Sequence, residues 1–203
     1  MLNNSRKGST SKRRASERGA GVVELLVVMA IVVITTVIAL PNFLKTLRNN
    51  QLSDGATRMA DILKQTRFQA IRRNTSITCR MAQTVSPPQT QVYVDSDGNT
   101  NYTAGELATV YSGNVNLVAA GGVPGTASLA AGIGANVVLT PVSPTAGTYT
   151  FDARGAVNPG GVYVAYVAYA NMPELGYRAV VLLPSGSIQI WSGDSTGSWH
   201  VVD

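Results

Sequence analysis

Arg18-Gly19-Ala20-Gly21-Val22-Val23-Glu24-Leu25-Leu26-Val27-Val28-Met29-Ala30-Ile31 opens a stretch that carries no further charge as far as Leu40-Pro41. From Leu25 to Leu40 only Thr35 and Thr36 interrupt the apolar side chains, and as a helix these sixteen residues rise about 24 Å. A hydrocarbon core is about 30 Å thick, so a spanning helix has to begin near Ala20, which brings its length to about 31 Å and takes Glu24 into or beside the lipid. A lone carboxylate there costs on the order of a few kcal/mol unless it snorkels or meets a partner. Any account of this chain has to explain Glu24.

The flanks narrow the choice. Residues 1–19 hold Arg6, Lys7, Lys12, Arg13, Arg14 and Arg18 against Glu17, a net +5 that equals the net charge of the whole chain. Short, polar and basic, this segment reads as an unfolded leader kept in the cytoplasm by the positive-inside rule. A cleavable secretory signal would have 7–15 apolar residues followed by a small-residue cleavage site. Here the apolar run is longer, ends at Leu40-Pro41-Asn42 and continues into another helical pattern. The single cysteine is Cys79, which excludes a lipoprotein signal, and a plain signal anchor gives no reason for Glu24.

The same residues resemble the class III signal of type IV pilins and type II secretion pseudopilins: a basic leader ending in Gly, four residues, a Glu, then an apolar helix. The resemblance implies that a membrane prepilin peptidase cuts after Gly19 and methylates the new amino terminus at Ala20, which stands where the family usually has Phe. It implies that Glu24 is the assembly glutamate and that Pro41, seventeen residues later, is the helix-bending proline. A physical reason for such a glutamate needs no family: cleavage creates an ammonium, and the ammonium of a neighbouring subunit relieves the cost of a carboxylate in lipid.

Past Pro41 the spacing of Leu44, Leu47, Leu52, Ala56, Met59, Leu63, Thr66 and Ala70 predicts an amphipathic helix to about Arg73, with Gly55 as a weak point. Lys45, Arg48, Arg58, Lys64 and Arg67 read as its solvated face. The remainder reads as strands at Ser76–Met81, Gln91–Asp95, Leu107–Tyr111, Asn136–Leu139, Thr148–Asp152, Val162–Ala170, Tyr177–Leu183, Ile188–Trp191 and Trp199–Val202. These runs are rich in Val, Ile, Thr, Tyr and Trp and are bounded by Gly, Pro, Asn and Asp. Pro184-Ser185-Gly186-Ser187 reads as a hairpin turn. The forty-five residues from Leu107 to Phe151 hold no charge, and their Gly/Ala-rich centre, 119–134, reads as a long surface loop. The expected organisation is a leader over 1–19, a membrane and assembly helix over 20–41, an amphipathic helix over 42–75 and a β-rich domain over 76–203. That is an α+β fold, with one long N-terminal helix packed on antiparallel sheet, as in type IV pilins. Within that superfamily Phe68-Gln69-Ala70-Ile71-Arg72-Arg73-Asn74, Cys79, Val92-Tyr93-Val94-Asp95-Ser96-Asp97-Gly98-Asn99 with Gly105-Glu106, Thr150-Phe151-Asp152-Ala153-Arg154-Gly155 and Val180-Val181-Leu182-Leu183-Pro184-Ser185-Gly186 resemble the GspH/FimT minor pilins and pseudopilins.

Few other chemistries have residues to stand on. At 203 residues and 21.3 kDa, with 45% apolar and 13% charged side chains, the chain is too small for a multidomain enzyme and too apolar for a disordered protein. One Cys and one His exclude an internal disulfide and a Cys/His zinc site. His200 stands alone, no nucleophile-elbow, zinc-protease or phosphate-loop motif is present, and Gly132-Ile133-Gly134 lacks the third glycine of a dinucleotide fingerprint. Cys79 reads as a buried small hydrophobe, and Trp191 and Trp199 as packing residues. Asp95, Asp97, Asn99, Asn101 and Glu106 fall at positions 1, 3, 5, 7 and 12 of a calcium loop. Thr100 replaces the glycine of position 6, and an Asp/Asn hairpin loop explains the same residues, so no metal is favoured and no cofactor is expected. Residues 45–80 are net +6 and residues 81–203 net −5. With no basic residue between Arg178 and Asp203, DNA is not an expected partner. The expected function is that of a minor pilin or pseudopilin. Its partners are other subunits, prepilin peptidase and inner-membrane lipid, with the leader in the cytoplasm and the globular part in the periplasm. A DNA-binding minor pilin for natural transformation and a major filament subunit are the alternatives.

Overall fold

The computed structural model describes residues 17–85 and 88–202. The basic cluster Arg6 to Arg14 lies outside them. The chain divides into two units, one ending at Thr46 and the other beginning at Leu47. Helix α1, Glu17–Arg73, supplies the described residues of the first unit and the opening segment of the second, with Pro41 inside it. The expected boundary at residue 42 is thus no interruption of the helix in secondary structure. A proline removes only the bond to the carbonyl four residues back, and the neighbouring turns persist. In the second unit the buried face of α1 comprises Leu52, Ala56, Met59, Ala60, Leu63, Thr66 and Ala70, at the three-to-four-residue spacing of one helical stripe. Leu47, expected on that stripe, is exposed, and so is Leu44 in the first unit.

Among the described residues ten strands follow α1. Strands β1 (Ile77–Val85), β2 (Pro88–Asp95), β3 (Ala108–Tyr111) and β6 (Thr148–Phe151) form an antiparallel sheet in the order β3-β2-β1-β6. The second sheet takes β4 (Val115–Val118), β7 (Val162–Tyr169), β8 (Tyr177–Leu182), β9 (Ile188–Gly193) and β10 (Trp199–Val201) in the order β10-β9-β8-β7-β4. Strand β5 (Leu139–Pro141) joins it parallel to β7. Between β8 and β9 the expected turn is present, closed by the N–H of Gly186 to the carbonyl of Leu183 at 2.8 Å, with Gly186 at φ 78°. Both sheets contribute to one apolar core with α1, in which Leu52, Met59 and Leu63 meet Cys79, Val92, Val94, Tyr149, Phe151, Val167, Val180 and Leu182.

A second core lies on the other face of the second sheet. Side chains alternate across a strand, and β7 and β8 divide accordingly: Ala165, Val167, Val180 and Leu182 face α1, while Val164, Tyr166, Ala179 and Val181 face away and pack with Val123, Leu129 and Trp191. The stretch 119–134, expected as a surface loop, covers that second face. It contains a 3-10 turn, Ala120–Gly122, and helix α2, Thr126–Ile133, whose Leu129 is fully buried. The correction has a plain cause: α2 has no charge and no capping side chain, so it lacks helix signals in sequence, and the apolar outer face of β7 and β8 supplies the reason to fold. The expected strand Asn136–Leu139 is displaced to Leu139–Pro141, and β4 had no counterpart among the expected strands.

Candidate functional site

In the first unit, residues 22–44 of α1 place Val, Leu, Ile, Met and Phe side chains on every side of the helix, and every one of them is exposed. A helix apolar all round belongs either in lipid or among other helices. Thr35 donates its hydroxyl to the carbonyls of Ile31 and Val32 at 2.9 and 3.0 Å, and Thr36 donates to Val32 at 2.7 Å. Both hydroxyls are satisfied inside their own helix, so neither needs water. Pro41 leaves the carbonyl of Val37 without its usual donor. Gly19 and Ala20 have helical backbone at the start of α1. Glu24 is exposed, and among the described residues no ion pair reaches it.

The second unit gathers the acidic loop between β2 and β3. Carboxylate oxygens of Asp95, Asp97 and Glu106 lie within 4.8 Å of one another. Asp95 ends β2 and is buried; its Oδ2 takes the Nε–H of Arg80 and, at 3.2 Å, the N–H of Thr100. Arg80 and Asp95 are diagonal neighbours, because β1 and β2 pair Thr78 with Asp95 and Arg80 with Tyr93. Burial works to raise the Asp95 pKa. The Arg80 hydrogen bond and charge, with the nearby N–H groups of Gly98 and Thr100, outweigh it and hold the carboxyl below its ordinary value. Glu106 accepts the N–H of Ser96 at 2.7 Å and that of Thr103 at 3.0 Å, while Asp97 accepts the N–H and side-chain amide of Asn99 at 3.0 and 2.7 Å. Asn99 in turn accepts the N–H of Asn101 at 2.8 Å. All five residues at the calcium-loop spacing are therefore in one loop, and the Arg80 pairing is what sequence reading missed. It depends on strand register, which no local pattern reveals.

The basic residues at the end of α1 are largely committed. Arg67 donates to the carbonyls of Gly155 and Ser185 at 3.0 and 3.3 Å, and Arg73 to that of Ser96 at 2.8 Å. Arg72 lies over the Phe68 ring at 5.8 Å. Arg178 is buried among neutral acceptors: Asn49 Oδ1 at 2.7 Å, Ser53 Oγ at 3.3 Å and its neighbour's carbonyl, Tyr177 O, at 3.0 Å. Cys79 is fully buried, and desolvation lifts its pKa to about 12, so it is an inert packing residue. His200 is exposed on β10, an edge strand. Trp199 packs near the Tyr166 ring at 6.1 Å and donates to the carbonyl of Pro124, and Trp191 is buried.

The family model described as type II transport protein GspH matches residues 55–186, from the middle of α1 to the turn after β8. No curated protein matches the chain. Among solved structures, the crystal structure of the type IV minor pilin FimU of Pseudomonas aeruginosa is 14% identical, with 70% of this chain and 88% of that chain covered and a TM-score of 0.44.

Proposed function

The chain belongs to the GspH family of the pilin and pseudopilin superfamily, and from that premise we propose that it is a minor subunit of a type II secretion pseudopilus or type IV pilus, built in through the apolar part of α1. Its role is structural and not enzymatic. The observation that carries the reading is the helix at residues 22–44, apolar and exposed on every side, with a single carboxylate, Glu24, near its start. Cleavage after Gly19 would leave an ammonium at Ala20, methylated by the same peptidase. Ala20 and Glu24 are four residues apart, about 6 Å along a helix. Two parallel helices offset by one turn then bring the ammonium of one subunit level with the carboxylate of the next. In a low-dielectric helix bundle the Coulomb attraction of that pair is stronger than at a water-exposed surface and either charge left unpaired is costly, so the pairing favours one axial offset over others. Pro41 supplies the site at which the helix can bend. The leader would stay cytoplasmic and the second unit periplasmic.

The test has two arms. Intact mass and N-terminal sequencing should find a mature chain beginning at Ala20 with one methyl group; a start at Met1 or beyond Leu40 sinks the reading. Glu24→Val should remain in the membrane fraction and be depleted from sheared filaments. Wild-type entry of that variant into filaments would show that the carboxylate is not what pairs.

A further inference from the structure

We propose that the loop from Asp95 to Glu106 is a calcium site, in which Asp95, Asp97 and Glu106 supply carboxylate oxygens and Asn99 and Asn101 add neutral ones. The buried Asp95 carboxylate carries the inference. Its side chain is 1% exposed, Oδ2 is engaged by Arg80 and Thr100, and Oδ1 meets no hydrogen-bond donor. A buried carboxylate oxygen without a partner is costly, and a cation is the partner that its neighbours are arranged to hold. Calcium–oxygen distances are about 2.3–2.6 Å, so ligand atoms around one ion lie at most about 5 Å apart. One carboxylate oxygen from each of Asp95, Asp97 and Glu106 meets that limit, the three lying within 4.8 Å of one another.

Charge and backbone agree with this placement. Three carboxylates face two cations, Arg80 on Asp95 and Arg73 at the Ser96 carbonyl, so the loop retains a net negative charge. Asp97 and Glu106 have no ion pair among the described residues, and Asp97 Oδ1 and Glu106 Oε2 each accept a single N–H, from Asn99 and Thr103, and keep a second lone pair. The sequence objection was Thr100 at position 6, where calcium loops carry glycine. Thr100 nonetheless adopts φ 70°, the left-handed conformation that position requires. The donor set is all hard oxygen, which favours calcium over zinc, and the irregular 12-residue loop suits the flexible coordination of calcium better than the strict octahedron of magnesium. Bound there, the ion would clamp the end of β2 to the start of β3. With one of the three carboxylates already neutralised, the affinity belongs to the weak class of extracellular modules, about 10⁻⁴ to 10⁻³ M.

Tyr93 and Tyr102 make the site observable. Their rings are 5.8 Å apart, and the Tyr93 hydroxyl donates to the carbonyl of Thr100 at 2.8 Å, inside the loop. The full chain in detergent, stripped with EGTA, is titrated with terbium, a calcium surrogate whose luminescence is sensitised by adjacent tyrosine. Tyrosine-excited luminescence should appear and be displaced by calcium at millimolar concentration, with magnesium ineffective at the same concentration. Asp97→Asn and Glu106→Gln should each weaken calcium displacement by at least about tenfold, the smallest loss expected of a ligand when even outer-sphere losses reach that size. Calcium, and not magnesium, should also raise the thermal midpoint of the unsubstituted chain. Absent luminescence, equal displacement by magnesium, or wild-type displacement in both variants overturns the site. Should either variant fold poorly, an unsubstituted chain whose midpoint is the same in calcium and EGTA overturns it independently.

Discussion

Gly55 sits where α1 presses close against Val115 of β4 and Val167 of β7. A Cβ at this position would stand 2.7 Å from Cγ1 of Val115 and 3.2 Å from Cγ1 of Val167, and the Gly55 carbonyl accepts the buried Tyr111 hydroxyl at 2.7 Å. Sequence reading marks Gly55 as a helix weak point, since glycine costs about 1 kcal/mol against alanine in a helix interior. The packing reverses that judgement. Both opposing methyls belong to branched, buried side chains with little room to rotate, and overpacking of this kind costs about 1–3 kcal/mol. Gly55→Ala is therefore expected to lower stability by about 1 kcal/mol net, read as an earlier denaturant midpoint. A later midpoint would mean that helix propensity wins. Arg178 shows a related point: burial lowers its pKa, yet Asn49, Ser53 and a backbone carbonyl satisfy it without a carboxylate.

At the scale of elements, the second sheet is covered on both faces. The patterns of β7 and β8 read as nearly unbroken buried runs, the signature of strands with no solvent face. One face is closed by α1 and the other by α2, so α2 is a structural cover. Leu129 is the fully buried residue of α2, packed in the core that holds Val164, Tyr166 and Val181. Leu129→Ala is expected to cost about 2–5 kcal/mol, the range of buried leucine truncations. The loss should expose the sheet and raise binding of an apolar dye. A loss under about 0.5 kcal/mol would place Leu129 in the class of ordinary surface substitutions and would show that α2 is dispensable.

Over the whole molecule, charge is divided along the chain and then spent locally. Residues 45–80 are net +6 and residues 81–203 net −5. Arg67, Arg73 and Arg80 at the end of α1 and in β1 are tied to loop carbonyls and to Asp95, while Arg58 and Lys64 pair with Asp54 and Asp61. DNA affinity depends on releasing counterions with clustered free cations, and Lys45, Arg48, Arg72 and Arg154, which have no side-chain ion pair or hydrogen bond among the described residues, are scattered along the sequence. A chain starting at Asn42 is expected to bind duplex DNA no more tightly than about 10⁻⁴ M at physiological salt. Micromolar binding in a fluorescence titration, weakened by salt and lost in Arg72→Ala with Arg73→Ala, would overturn this and favour a DNA-binding role.

The residues themselves determined the long helix, the β-rich remainder and the family, because these rest on local signals: an apolar run with a charge at fixed spacing, the 3.6-residue stripe from Leu52 to Ala70, and Val/Ile/Tyr runs between turn residues. They also set the 1-3-5-7-12 spacing of the acidic loop. Strand register decided what that spacing meant, by bringing Arg80 against one oxygen of Asp95 and leaving the other buried and unmet. Tertiary packing likewise decided that Gly55 is a point of contact and that 119–134 folds as a cover. Neither follows from local propensity, since a glycine and an alanine-rich segment draw their conformational meaning from the surfaces they are pressed against.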